Sequence, residues 1–298
     1  MIRMSSYWWL TQHAESPLLR VAVFEGPSSL DGDVSQNVVE VEHAMEKASR
    51  EYNAHLLVFP ELFLSGYGHS RDTTMSAARF IVDSQVIARL QKLACQYSIA
   101  LFIGYPEKAN ETIYNSATLI DHQGEILINY RKTHLWAEKE RHVFKEGNNL
   151  SPVVQLCGVR VGVMICYDVE MPEVARALSV LGAQLLLVAT AEAASPWCGN
   201  VAHILVPARA LENHVWVAYA NLAPPRFAGL SRIVGPDGKE LCRVEQDSII
   251  VAELRPQDYL HRIQATPYLA DRRPSLYSSI SDTQLAIALP PDYKYTSG

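Results

Sequence analysis

Short apolar runs with the pattern of strands alternate along this chain with longer segments that have the apolar spacing of helices. Residues 19–24 (LRVAVF) alternate as a strand does, and the next segment carries Val38, Val41, Met45 and Ala48 at helical spacing. Hydrophobic residues make up 48% of the 298 residues, which is enough for one large core. The sequence therefore predicts a layered α/β protein with one main domain.

The charge pattern and the cysteines indicate where such a protein works. The net charge is -6 and there is no run of Lys and Arg, so we expect no nucleic-acid partner. The five cysteines form no CxxC pair and are odd in number, which favours a reducing compartment. The apolar run YWWL near the N-terminus is too short for a signal peptide, and no stretch approaches a membrane span. We expect a cytoplasmic protein with no membrane partner.

Two charged residues lie at the ends of predicted strands. Glu61 comes after the buried run HLLVFP, which Pro60 ends, and Lys132 comes after the strand EILINY. Desolvation at a strand end raises the pKa of a glutamate towards that of a general base, and a fixed ammonium stabilises an oxyanion. On position alone, a solvated loop glutamate and an ordinary surface lysine remain alternatives.

A cysteine occupies a third strand end. Cys166 closes the apolar run VRVGVMIC, and the residues after it have a helix-start signature, with Asp168 as a candidate cap and Pro172 in the first turn. A helix N-terminus close behind a cysteine favours the nucleophilic thiolate. Taken alone, a cysteine in an apolar strand is more often a packing residue.

Together these three positions resemble the nitrilase superfamily of carbon-nitrogen hydrolases, whose Glu, Lys and Cys blocks appear here in order as FPELFLSGYG, YRKTHLW and GVMICYDVEMPE. A fourth block, LWAEKERHVFKEG, is similar to the family segment with a second glutamate, which the resemblance places at Glu140 as a support for the lysine and the substrate. The resemblance covers residues 19–277. It leaves an N-terminal extension at 1–18 and a C-terminal tail at 278–298.

The resemblance also implies a fold and an assembly. Family members are four-layer α-β-β-α sandwiches, in which two sheets pack face to face with helices outside. They commonly form dimers through the helical layer, so we expect a homodimer or a higher homo-oligomer. The tail from Ser278 is a candidate to reach over a neighbouring subunit.

The residue types and the resemblance imply a cysteine-dependent amide hydrolase. Glu61 takes the thiol proton as Cys166 attacks a carboxamide, and Lys132 and the backbone amide of Tyr167 hold the oxyanion. Water then hydrolyses the thioester that remains on Cys166. We expect no metal and no organic cofactor in this reaction.

The sequence features that indicate the substrate are weaker than those that indicate the reaction. Tyrosine and aspartate follow Cys166 where nitrilases have tryptophan and glutamate, which favours an amide substrate over a nitrile. The stretches YRKTHLW, ICYDVEMPEVAR and PYLADRR resemble the branch of bacterial aliphatic amidases that includes delta-aminovaleramidase. Glu192 is a candidate partner for a cationic substrate end and Tyr67 a candidate pocket wall. A solvated loop position and core packing are their respective alternatives.

Other hydrolase classes have less support in this sequence. A papain-like enzyme could use His203 or His214, but that family's cysteine signature is absent. Ser65 lies outside a GxSxG elbow, and the histidines lack zinc-ligand spacing such as HExxH. An N-carbamoyl amino acid hydrolase or a nitrilase with the same three residues, and a non-catalytic assembly scaffold of the same fold, remain alternatives.

Overall fold

The structure is a computed structural model, and it describes residues 18–27, 32–195, 198–245, 247–255 and 260–283. Almost all of the predicted N-terminal extension, and the predicted tail beyond residue 283, lie outside these residues. The described strands form two six-stranded sheets.

The first and the last described strands both belong to the first sheet. Its strands are β1 (Leu19–Phe24), β2 (Leu56–Val58), β3 (Ala100–Ala109), β4 (Thr112–Ile120), β5 (Ile126–Arg131) and β12 (Ile249–Leu254). Their order is β12-β1-β2-β3-β4-β5. The central strands β1, β2 and β3 are parallel, and the flanking pairs are antiparallel. The carboxyl ends of the central strands therefore meet at one edge, where Glu61 follows β2.

The middle of the chain forms the second sheet, which has a similar plan. Its strands are β6 (Val154–Leu156), β7 (Val159–Ile165), β8 (Leu185–Ala189), β9 (Trp216–Ala220), β10 (Arg232–Val234) and β11 (Glu240–Arg243). Their order is β11-β10-β9-β8-β7-β6, with β7, β8 and β9 parallel. Cys166 follows β7 directly, at the carboxyl edge of this sheet.

The helices connect the strands and cover the sheets. They are α1 (Val34–Arg50), α2 (Arg71–Asp83), α3 (Val86–Tyr97), α4 (Ala137–Val143), α5 (Pro172–Val180), α6 (Val206–Asn213), α7 (Leu260–Ala265) and α8 (Ser278–Ser281). A π-helical turn over Val201–Leu205 leads into α6. Within the described ranges, none of these helices has the length and apolar character needed to cross a bilayer.

Alternate residues of one strand show how the layers pack. In β1, Val21 and Val23 belong to a buried cluster that both sheets share, whereas Ala22 and Phe24 pack in a cluster with α1, α2 and α3. On the second sheet, Met164 packs in a third cluster with α5 and α6. Both faces of each sheet are buried, which explains the largely apolar strands. The predicted four-layer α-β-β-α sandwich is confirmed.

Candidate active site

Glu61 reaches the interior because the chain turns inwards after β2. The amide of Phe59 still donates to the carbonyl of Phe102, which extends the ladder past β2 by one bond of 2.8 Å. The amide of Glu61 donates to the carbonyl of Thr190 at 3.2 Å, and Thr190 follows β8 of the other sheet. The Glu61 side chain is fully buried. The backbone thus places this carboxylate between the carboxyl edges of the two sheets.

Lys132 lies directly after β5 and is also fully buried. Its Nζ is 2.7 Å from Oε1 of Glu61 and 2.8 Å from Oε1 of Glu140. Burial lowers the pKa of Lys132, but the two carboxylates outweigh it and raise that pKa well above its ordinary value. Lys132 is therefore an ammonium ion held between two glutamates.

Glu140 is placed by the short helix α4 and is 3% exposed. Besides Lys132, its Oε1 accepts a hydrogen bond from the Tyr67 hydroxyl at 2.7 Å, and its Oε2 accepts from the amide of Trp136 at 2.7 Å. Both oxygens are therefore occupied. The structure brings this residue to Lys132, and its contacts suit orientation of the lysine better than proton transfer.

One oxygen of Glu61 remains available. Its Oε1 accepts from Lys132 and, at 2.6 Å, from Nδ2 of Asn115. Its Oε2 is buried and has no hydrogen-bond partner among the described residues. Burial raises the pKa of Glu61, the charge of Glu140 adds to this effect, and Lys132 opposes it. A buried acceptor with a raised pKa and a free lone pair has the properties of a general base.

Cys166 begins a 3-10 turn, Cys166–Glu170, and has a left-handed backbone with φ of 46°. Burial, followed by the charge of Glu61, raises the pKa of its thiol well above the ordinary value, although Lys132 and a hydrogen bond with Thr190 oppose this. The expectation that a nearby helix start favours the thiolate stays a prediction. The helix α5 begins six positions after the cysteine, and the charges that act on the sulfur come from distant segments.

Asp168 has a different role from the predicted helix cap. It is fully buried and accepts hydrogen bonds from the amide of Ile165 at 3.1 Å and the hydroxyl of Tyr130 at 2.9 Å. It also accepts from the hydroxyl of Thr133 at 2.9 Å and from the amide of His134 at 3.1 Å, and the His134 ring lies 2.8 Å away. The helix α5 has no side-chain cap. Asp168 instead ties the loop after Lys132 to the cysteine turn, a function that we did not predict from sequence.

A cavity of about 210 Å³ opens beside the cysteine. Its walls include Tyr67, Trp136, Cys166, Glu170, Glu192 and Tyr219. The predicted pocket residues Tyr67 and Glu192 thus line the same cavity as the sulfur. Tyr167 follows the cysteine within the 3-10 turn, and its side chain is not among the cavity walls. Its assignment as a substrate-binding residue therefore depends on the backbone amide alone.

The residues of the rival hydrolase classes are engaged elsewhere. His203 lies 3.0 Å from Nη1 of Arg232, and the ring of His214 stacks on Tyr268. Ser65 donates to a backbone carbonyl of its own turn at 3.0 Å. None of these three lines the cavity beside Cys166, so the histidines and the serine considered for the rival classes are not placed at this site.

Comparisons with known sequences identify relatives over most of the chain. A sequence model described as carbon-nitrogen hydrolase matches residues 20–262. A Pseudomonas protegens protein described as a hydrolase in the pqqF 5' region is 37% identical over 269 residues, covering 88% of this chain and 92% of that protein. An (R)-stereoselective amidase of a Pseudomonas species is 33% identical and covers 82% of this chain and 88% of its own.

Solved structures are similar over the same region. An amidase from Nesterenkonia sp. has a TM-score of 0.75 at 32% identity, covering 89% of this chain and 97% of its own. A mutant of that amidase is described with the acetamide moiety of fluoroacetamide added covalently at its active-site cysteine, and another mutant is in complex with butyramide. The family match and the identity of these relatives confirm the resemblance read from the Glu, Lys and Cys blocks. This chain belongs to the carbon-nitrogen hydrolase family.

Proposed function

We propose that the protein hydrolyses a small linear carboxamide to a carboxylic acid and ammonia through a thioester on Cys166. One observation carries the proposal. Glu61, whose buried Oε2 has no partner among the described residues, and the ammonium of Lys132 both act electrostatically on the thiol of Cys166, which lines a cavity. A base, a cation and a nucleophile in one enclosed site are what acyl transfer requires.

The first half of the reaction forms the thioester. The thiol proton of Cys166 passes to Oε2 of Glu61 as the sulfur bonds to the amide carbon, and the carbonyl oxygen takes up negative charge. Lys132 and the backbone amide of Tyr167 stabilise this oxyanion, a contribution of about 3 kcal/mol for each donor. Glu61 returns its proton to the amide nitrogen, the carbon–nitrogen bond breaks, and ammonia leaves.

The second half releases the acid. Glu61 is again a carboxylate and takes a proton from a water molecule as that water adds to the thioester carbon. The carbon–sulfur bond breaks, and the sulfur takes the proton back from Glu61. Because the pKa of the Cys166 thiol is raised, the enzyme rests as a neutral thiol and depends on Glu61 in both halves.

The relatives support an amide as the substrate. The compared amidases carry this activity in their names. One solved mutant, in which alanine replaces the active-site cysteine, is in complex with butyramide, and another carries the acetamide moiety of fluoroacetamide covalently at that cysteine. Within this class we propose an aliphatic amide with an omega-amino group, because Glu192 lines the cavity beside Cys166. A cytoplasmic location is part of the same proposal.

Ammonia release tests the reaction. The wild-type protein is incubated with aliphatic amides of increasing length, with nitriles and with N-carbamoyl amino acids. We expect ammonia from the amides, none from Cys166→Ala, and an unchanged rate for the control Cys95→Ala, which removes an exposed thiol of α3. Mass spectrometry of protein quenched during turnover should find one acyl group on Cys166. Ammonia without an adduct would contradict the mechanism, and no product from any compound would favour the scaffold alternative.

We also propose a homodimer formed through α5 and α6. Four apolar side chains on or beside these helices are exposed, namely Val180 (50%), Leu181 (55%), Ile204 (60%) and Leu211 (36%). Sedimentation of the wild type, of Leu181→Asp and of a chain ending at residue 277 separates the contributions of the helices and the tail. We expect only Leu181→Asp to yield monomer. Monomeric wild type would reject the dimer, and an unchanged assembly without the tail would reject a swapped tail.

A further inference from the structure

Two carboxylates face the substrate cavity beside Cys166. Glu170 closes the 3-10 turn that the cysteine begins, and Glu192 follows β8 after the sheet edge. Both belong to the walls of the 210 Å³ cavity. The nucleophile of the proposed reaction, Cys166, lines the same cavity. Glu61, which acts on the thiol of Cys166, has a buried Oε2 without a partner among the described residues.

Glu192 is held in place by hydrogen bonds to both of its oxygens. Oε1 accepts from the amide of Gly199 at 3.0 Å, and Oε2 accepts from the hydroxyl of Tyr219 at 3.0 Å. Its own amide donates to the side chain of Asn221 at 2.9 Å. Two neutral donors orient this carboxylate but leave its negative charge without a cationic partner among the described ion pairs.

Glu170 differs because its carboxylate takes part in no hydrogen bond or ion pair described for this protein. Arg209 lies close, but it donates to the carbonyls of Val169 and Glu170 at 2.9 and 2.8 Å and to the Glu212 carboxylate at 3.2 Å. Burial, followed by the charge of Glu192, raises the pKa of Glu170, and the charges of Lys132 and Arg209 oppose this without reversing it. A carboxylate that is partly desolvated beside a second negative charge is stabilised by a cation placed between them.

We infer that Glu170 is the main counter-ion for a positively charged group of the substrate, with Glu192 as its fixed neighbour. The substrate class is then a short carboxamide with an ammonium group at the far end of its chain. This inference rests on the proposed function, in which the carboxamide end lies at Cys166 and Lys132. It assigns the selectivity for a cationic substrate to Glu170, in the 3-10 turn that begins at Cys166, rather than to Glu192 alone.

The geometry also limits the length of the substrate. A cavity of 210 Å³ holds roughly seven groups of the size of water. Glu170, four positions after Cys166 in the sequence, lines the same cavity. A short chain of a few methylene groups between the carboxamide and the ammonium therefore fits this volume.

The test compares two amides that differ in charge alone. In 5-aminopentanamide an ammonium replaces the terminal methyl of hexanamide, so the two have similar length. The value of kcat/KM is measured by ammonia release for the wild type, Glu170→Gln, Glu192→Gln and Glu173→Gln. Glu173 is an exposed carboxylate of α5 and serves as the matched control.

We expect the wild type to prefer the cationic amide at least tenfold, since a hydrogen bond between charged groups contributes a factor of about ten to a hundred. Glu170→Gln should lose that preference, mainly through a higher KM for the cationic amide. Glu173→Gln should behave as the wild type. The assignment of Glu170 would be overturned if Glu170→Gln lost kcat/KM equally with both amides. It would also be overturned if Glu192→Gln lost the preference for the cationic amide while Glu170→Gln kept it.

A binding measurement separates this inference from the proposed reaction. Calorimetric titration of Cys166→Ala with each amide reports recognition without turnover. Tighter binding of 5-aminopentanamide that disappears in the Cys166→Ala, Glu170→Gln double variant supports the inference even if no ammonia is released. Equal binding of the two amides refutes it, while ammonia release from hexanamide by the wild type would leave the proposed reaction standing.

Discussion

The loop that carries Glu61 packs directly on a glycine of the neighbouring strand. A Cβ added to Gly104 in β3 would lie 2.5 Å from the amide nitrogen of Leu62, 2.8 Å from the carbonyl oxygen of Pro60 and 2.9 Å from Cα of Glu61. All three are backbone atoms, so no side-chain rotation relieves the contact. Ordinary contact begins near 3.4 Å, which means that Gly104→Ala must displace this loop by up to about 0.9 Å.

The displacement has two measurable effects. Overpacking of a buried site typically destabilises a protein by about 1–3 kcal/mol, and the lower chain entropy of alanine offsets about 0.5–1 kcal/mol of this. We expect a net loss of about 1–2 kcal/mol in the free energy of unfolding. A shift of about 1 Å in a catalytic group can lower the rate by about a hundredfold. We therefore expect kcat for amide hydrolysis to fall about tenfold to a hundredfold.

A second strand glycine provides the control. A Cβ at Gly162 in β7 would meet only side-chain carbons of Leu178, at 3.3 to 3.5 Å, and these can move. Gly162→Ala should change the free energy of unfolding by less than about 1 kcal/mol and retain the wild-type kcat. Urea denaturation and ammonia release measure the two quantities. Wild-type kcat in Gly104→Ala, or equal losses in both variants, would refute the reasoning.

Three further predictions concern the same site. Glu61→Gln removes the base and should lower kcat by about a thousandfold while the protein stays folded by circular dichroism; retained activity would reject Glu61 as the base. In Asp168→Asn an NH2 group replaces one carboxylate oxygen, so the Ile165 amide or another donor to Asp168 loses its acceptor. This should lower the urea-derived free energy of unfolding by about 2–4 kcal/mol, and an unchanged midpoint would contradict the role of Asp168. The hydrogen bond with Asp168 raises the pKa of His134, so the stability that this pair adds is fully present below about pH 6.5 and is lost as the pH rises through the raised value. The stability difference between wild type and His134→Gln should therefore shrink above about pH 6.5, and a constant or growing difference in urea denaturation would contradict the pairing.

The sequence predicted the positions of the three main site residues because they depend on local pattern. Apolar runs predict strands, and a charged residue or cysteine at the end of a run must lie at a sheet edge. The same reasoning missed α2, although Ser70 caps it and its buried residues, from Thr74 to Ile81, have helical spacing. It also missed α4, whose seven residues are too few for a periodic signal. Glu140 was identified only through the family resemblance.

The features that the sequence did not predict depend on contacts between distant segments. β12 pairs with β1 across more than 200 positions, and neither strand's own residues specify this distant partner. Asp168 was predicted to cap the next helix because only its local sequence was visible. Its actual partners Tyr130 and His134 are more than 30 positions away in the chain. The raised pKa of the Cys166 thiol likewise reflects its burial and then the charge of Glu61, which follows a strand of the other sheet.

The left-handed backbone of Cys166, with φ of 46°, makes the nucleophile an unfavourable residue for the fold itself. A side chain in this conformation costs about 1–2 kcal/mol, which glycine avoids. Selection for thermal stability without a screen for turnover would therefore favour glycine at this position. The resulting protein would be more stable but catalytically inactive. The cysteine is retained only where hydrolysis itself is under selection.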